Sequence, residues 1–136
     1  MSRSAEISRT TGETDIRVAL TLDGSGAGTR TTGVGFYDHM LDAFARHGGM
    51  DLDVEATGDL QTGSHHTVED VGIVIGQAID QALGDRSGIT RFGNARVPMD
   101  DARASAGARA LRARRRVRAQ GADRARGRVS YCGRLR

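Results

Sequence analysis

Residues 50–60, "MDLDVEATGDL", and residues 62–83, "TGSHHTVEDVGIVIGQAIDQAL", carry two different apolar periods within one short window. In the first, Met50, Leu52, Val54 and Ala56 alternate with Asp51, Asp53 and Glu55, which predicts a strand with one buried face and one acidic face in water. In the second, Val71, Ile75, Ile79, Ala82 and Leu83 recur at helical spacing and Gly84 follows, which predicts a helix from about 66 to 83. A strand running straight into an amphipathic helix implies an α+β layer, with helices backing one face of an antiparallel sheet.

The flanking sequence extends that pattern. "DIRVALTLDG" (15–24) alternates Ile16, Val18, Leu20 and Leu22 with Arg17, Ala19 and Thr21, giving a second strand that ends in an Asp-Gly turn. The glycine-rich "GTRTTGVGF" (28–36) reads as a further extended stretch, joined to it by a hairpin over 23–28. "FYDHMLDAFARHGG" reads as a short helix with Met40, Leu41 and Phe44 as its apolar stripe, stopped by Gly48 and Gly49.

At 136 residues the chain has the length of one domain. The N-terminal stretch has no apolar run, so neither a signal peptide nor a membrane span is expected. The single cysteine, Cys132, leaves no internal disulfide and fits a cytoplasmic protein. All the positive side chains are arginine, and they are unevenly placed. Residues 1–101 carry 8 Arg against 16 acidic residues, whereas residues 102–136 carry 12 Arg against Asp123 alone. The sequence pI near 9.9 is therefore a property of the tail. That tail, rich in Arg and Ala and poor in large apolar residues, is expected to be disordered. Its arginines suit nonspecific phosphate binding, but it lacks the interleaved aromatics of a single-strand binder.

All four histidines, His39, His47, His65 and His66, fall within 28 residues. On a helix, His65 and Glu69 are i,i+4 and His66 and Glu69 are i,i+3, so each histidine shares a face with the carboxylate. The two imidazoles themselves diverge by roughly 100°. Imidazole with carboxylate suits Mn, Fe, Ni or Zn, and without a nearby cysteine the harder octahedral ions are favoured. The plainer alternative is a polar surface or a helix cap. His39 offers a third imidazole from the neighbouring helix. His47 lies about 12 Å further along that helix axis, too far to share a metal with His39; it reads as a substrate contact or as a cation favoured at a helix C-terminus.

"GETDIRVALTLDGSG", "TGVGFYDHMLDAFARHGGMDLDVEATGDL", "HHTVEDVGIVIGQAIDQALGDRSGITRFG" and "ARVPMDDA" together resemble the imidazoleglycerol-phosphate dehydratase family over about residues 8 to 102. The resemblance implies one of the two similar halves of that fold (ribosomal protein S5 domain 2-like), each an antiparallel sheet backed by helices. It also implies dehydration of imidazole glycerol phosphate to imidazole acetol phosphate in histidine biosynthesis. The implied cofactor is Mn2+, two ions per active site, with the substrate ring held as imidazolate. The implied assembly has twenty-four subunits, with active sites formed between them, and neither membrane nor nucleic-acid partners. Carried over by position, His39, His65, His66 and Glu69 are metal ligands and also contact substrate. Glu13 is the acid/base carboxylate, Arg91 binds substrate, and His47 ends the substrate-contacting stretch that starts at His39.

The resemblance stops near Ala102, and no histidine follows His66. The family's second HHxxE motif and its phosphate-binding arginines are absent from the tail. Arg, Ala and Gly are what CGN, GCN and GGN codons of a GC-rich gene give when read out of frame. The expected organisation is therefore an N-terminal half-domain over 1–101, then a tail over 102–136 out of frame, with the chain inactive as written. The alternative from another class is a small non-catalytic metal-binding or basic-tailed nucleic-acid-binding protein.

Overall fold

The computed structural model describes residues 3–110. The chain divides into two compact units, Met1–Ser87 and Gly88–Arg136.

The first unit contains β1 (Ser4–Thr10), β2 (Thr14–Thr21), β3 (Arg30–Thr31), α1 (Gly35–Gly48), β4 (Asp51–Gly58), a 3-10 turn (Leu60–Thr62) and α2 (His65–Leu83). The strands form one sheet in the order β1-β2-β4-β3. β1 and β4 flank β2 and run antiparallel to it, while β3 is parallel to β4. Register explains the core. Val18 lies opposite Ile7 on one side and Val54 on the other, and Leu20 opposite Ala5 and Leu52. Alternation then sends Ile16, Val18, Leu20, Leu52 and Val54 to one face, where all are buried. Helix α2 covers that face across β1, β2 and β4 with Val71, Val74, Ile75, Ala78 and Ala82. Each such Val, Leu or Ile contributes about 1.5–3 kcal/mol by leaving water. Arg17, Asp53 and Glu55 take the other face, exposed as their alternation requires.

Three sequence expectations change. β1 was not anticipated, because only Ala5 and Ile7 mark its inward face. Of the 28–36 stretch only the two-residue β3 is strand, its last two residues open α1, and there is no hairpin with β2. Its chain loops instead: Gly26, Gly28 and Gly33 have positive φ, and the Asp51 and Asp53 carboxylates of β4 accept the backbone N–H groups of Ser25, Ala27 and Thr29. The third change concerns α1, which buries only Leu41 and Ala45; Met40 and Phe44 of its expected stripe are exposed, as is Phe36. The sheet narrows to β3 and β4 beneath α1, so fewer strands are there to cover it. Side chains from β3 and the segment after it hold the helix in place. The buried guanidinium of Arg30 donates to Gly26, Ala27 and Gly28 carbonyls and to Asp42, and the Thr32 hydroxyl donates to Asp38 at 2.6 Å. Gly49 closes the helix in the left-handed conformation, its N–H shared by the Ala45 and Arg46 carbonyls.

In the second unit, β5 (Phe92–Met99) and β6 (Ala102–Arg109) make an antiparallel hairpin turned at Asp100 and Asp101. Arg109 lies over the Phe92 ring, 5.5 Å from its centre. Residues 102–109, expected to be disordered with the rest of the tail, thus form a strand. Apolar content guided that expectation, but a backbone ladder does not depend on it. The remainder of the tail, 111–136, lies outside the described residues.

Candidate active site

Four features of the chain meet where strands end and α2 begins. The β1–β2 turn is organised by Thr11, whose hydroxyl accepts the N–H groups of Glu13 and Thr14. It presents the exposed Glu13. Because Thr14 pairs with Gly58 across β2 and β4, the next residue, Asp59, falls beside Glu13, and its N–H donates to the Glu13 carbonyl at 3.1 Å. The 3-10 turn then brings Thr62 back to Asp59: its hydroxyl lies 2.8 Å from the carboxylate. Three residues later α2 opens with His65 and His66.

The two imidazoles point apart. Their ring centres are 5.7 Å from each other with planes tilted by 60°. His65 Nε2 meets Glu69 Oε2 at 3.3 Å on the exposed side of the first turn. His66 turns toward the strand ends instead, its Nδ1 lying 3.0 and 3.2 Å from the two oxygens of Asp59 and 3.8 Å from Glu13 Oε2. The Asp59 hydrogen bond, reinforced by the charges of Asp59, Glu13 and Asp70, raises the His66 pKa above its ordinary value. Asp59 moves the other way, held below the usual carboxylate range by the Thr62 hydroxyl and then by His66. The protonated ring and the ionised carboxylate support each other.

Behind this cluster Asp70 fastens the helix to the sheet. The Thr14 hydroxyl donates to Asp70 Oδ2 at 2.6 Å, and Arg9 of β1 forms an ion pair with its other oxygen. Both hold the Asp70 carboxyl below its ordinary pKa, Thr14 most. Of the residues singled out from sequence, His65, His66, Glu69 and Glu13 share this neighbourhood. His39 and His47 are exposed on α1, in its second and last turns. Arg91 belongs to the second unit, where its carbonyl accepts the Ala110 N–H. Asp59, Thr62 and Asp70 were not singled out from sequence, although Asp70 follows Glu69 directly.

The donor chemistry suits a divalent ion only in part. His65 and Glu69 offer an imidazole nitrogen and a carboxylate oxygen side by side. His66 faces away toward Asp59, as consecutive helical positions must. Among the described residues no three His, Cys, Asp or Glu side chains converge as a metal requires. Among the described residues the expected ligand set of His39, His65, His66 and Glu69 is not brought together around one point.

The imidazoleglycerol-phosphate dehydratase family model matches residues 32–124, a span that runs past residue 102. Curated relatives of that name from Magnetococcus marinus and Acetivibrio thermocellus are 67% and 61% identical over 102 residues, which is 75% of this chain and 52% of each relative. The chain therefore spans about half the length of the curated relatives it matches. Among solved structures, imidazoleglycerol-phosphate dehydratase from Staphylococcus aureus is similar at 35% identity and a TM-score of 0.63, covering 75% of this chain and 54% of that one. The enzyme from Pyrococcus furiosus, in complex with (S)-C348, is 42% identical with a TM-score of 0.60, over 74% of this chain and 52% of its own.

Proposed function

The chain belongs to the imidazoleglycerol-phosphate dehydratase family, and from that premise we propose that its fold carries half of a hydro-lyase site acting on imidazole glycerol phosphate in histidine biosynthesis. The observation that carries this reading is the convergence of Glu13, Asp59 and His66 at the mouth of α2, with His65 and Glu69 on the adjoining face.

The reaction removes the hydroxyl from the carbon beside the substrate ring and a proton from the next carbon; the resulting enol becomes the ketone. Glu13 is exposed and, as a carboxylate, can take that proton and return one to the ring-side carbon. His66 Nδ1 lies 3.8 Å from its Oε2, so the two side chains border the same reacting space. His65, His66 and Glu69, with His39, would hold Mn2+, and donors from another half-site or a neighbouring copy would complete the shell. When bound, that ion supplies Lewis acidity toward the substrate's imidazole. Arg91 and His47 are assigned to substrate binding. The family resemblance assigns a homo-oligomer with sites formed between subunits, and the cytoplasm is the assigned location. Among the described residues no helix is long and apolar enough to cross a membrane.

Positioning and electrostatic stabilisation act jointly, so half a constellation gives far less than half the catalysis. The 136-residue chain is accordingly expected to show no detectable dehydration, and a version frame-corrected near codon 102 to regain a second HHxxE motif and full activity. Sequencing codons 95–140 and complementing a histidine auxotroph with both versions tests this. Absence of the motif from all three frames removes the frameshift reading, and growth on the 136-residue chain removes the half-site reading.

A further inference from the structure

We infer that Asp59 is a positioning residue that fixes the proton of His66 on Nδ1 and so presents Nε2 as the ring's lone-pair nitrogen. Both Asp59 oxygens lie within 3.2 Å of His66 Nδ1. An ionised carboxylate only accepts, so the ring nitrogen facing it must donate. The neutral imidazole has one N–H, and placing it at Nδ1 leaves Nε2 unprotonated by elimination. Glu13 reinforces the choice, since its carboxylate lies nearest the same nitrogen.

Asp59 is itself held. Its backbone N–H is tied to the Glu13 carbonyl at 3.1 Å, and the Thr62 hydroxyl bonds both its carboxylate and its carbonyl, at 2.8 and 2.9 Å. The carboxylate therefore does not follow the ring; the ring follows the carboxylate. A histidine oriented by a carboxylate on one nitrogen is poised to bind a cation or accept a proton with the other, and loss of such an orienting partner costs about 10–100-fold in affinity or activity at metal sites. This inference rests on the reading of His66 as a working imidazole of the proposed site, but its test does not require turnover.

The test is the two-bond 1H–15N spectrum of the 15N-histidine-labelled 136-residue chain, at alkaline pH where His66 is neutral. The His66 signals are identified by their loss in His66→Gln. The expected spectrum has a pyrrole-type Nδ1 and a pyridine-type Nε2. Asp59→Ala should exchange the two, returning the ring to the Nε2–H form that free imidazole side chains prefer. Thr62→Val, which loosens the carboxylate without touching the ring, should shift the signals part of the way in the same direction. A wild-type His66 protonated at Nε2 overturns the inference, as does an unchanged spectrum in an Asp59→Ala chain of native helix content. If Asp59→Ala does not fold, the wild-type and Thr62→Val spectra decide, and an unmoved Thr62→Val spectrum counts against the hold described above. Failure of auxotroph complementation by the frame-corrected chain leaves these spectra untouched, so the two readings fail separately.

Discussion

Strands β2 and β4 and strands β5 and β6 are both antiparallel pairs of eight-residue strands, yet they stand on different physics. In the first pair each inward residue from Ile16 to Leu20 meets a partner strand on both sides and a helix above. In the second, β6 is exposed at every position and Phe92 and Val97 of β5 are also in water. The backbone ladders are alike; the burial is not. A hydrogen bond exchanged for one with water nets only about 0.5–1.5 kcal/mol, whereas apolar burial adds up residue by residue. A two-stranded hairpin alone is marginal in water. The difference teaches that, among the described residues, apolar burial is concentrated in residues up to 87.

The largest expected effect breaks that contrast if it fails. Leu52 is fully buried opposite Leu20, and Leu52→Ala is expected to lower unfolding stability by about 2–5 kcal/mol. Val97 is 56% exposed, and Val97→Ala should stay within about 0.5 kcal/mol. Denaturant unfolding of both variants measures the gap. Equal losses would show that the hairpin shares one cooperative core with the sheet.

The next effect sharpens the contrast at the point where strand meets helix. A Cβ on Gly58 would lie 2.0 Å from Thr67 Oγ1 and 3.2 Å from Thr67 Cβ. Thr67 is fully buried in the first turns of α2, so it has no free space to turn into. Gly58→Ala is expected to cost about 1–3 kcal/mol through overpacking. Adding Thr67→Ala removes the hydroxyl and should recover part of that loss in a double-mutant cycle. A Gly107→Ala change in β6, where an added Cβ meets nothing within 4 Å, should be mild by comparison.

Much of the first unit was legible because its elements announce themselves by period. β2, β4 and α2 each carry enough apolar residues at a regular spacing to fix both type and face, α1 enough to fix its type but not its face, since Met40 and Phe44 are exposed, and the HHxxE spacing marked the first turn of α2. β1 escaped because Ala5 and Ile7 are too few to establish alternation. The pairing of β3 escaped: it lies in the expected extended stretch, but it pairs parallel to β4 through a looped segment stapled by Asp51 and Asp53. The partners of His66 escaped for a deeper reason. Asp59 reaches Glu13 only because Thr14 is in register with Gly58, and register is a property of two strands that neither one states. The same holds for Asp70, whose partners Arg9 and Thr14 come from β1 and β2. Sequence showed which side chains carry chemistry, and the pairing of strands determined which of them meet.

The smallest effect is a change of slope. Asp70 joins α2 to the sheet through Thr14 and Arg9, and these partners depress its pKa in the folded chain. In the unfolded chain the carboxyl titrates near about 3.9. Between that value and the lower folded one, the unfolded state binds the extra proton, so stability falls as the pH falls. Asp70's contribution is thus fully present above the unfolded pKa and is lost as the pH drops through the folded one. Asp70→Asn keeps the shape, gives up the ion pair with Arg9, and removes the titration. It is expected to reduce stability modestly at neutral pH and to flatten the acid side of the stability curve below about pH 4. Chemical unfolding across pH 2.5–7 compares the two chains. Val97→Ala serves as the control in the hairpin, where the acid slope should remain that of the parent. An Asp70→Asn chain that keeps the parent's acid slope would show that the β1–β2–α2 junction draws nothing from this carboxylate, and that burial alone separates the two strand pairs.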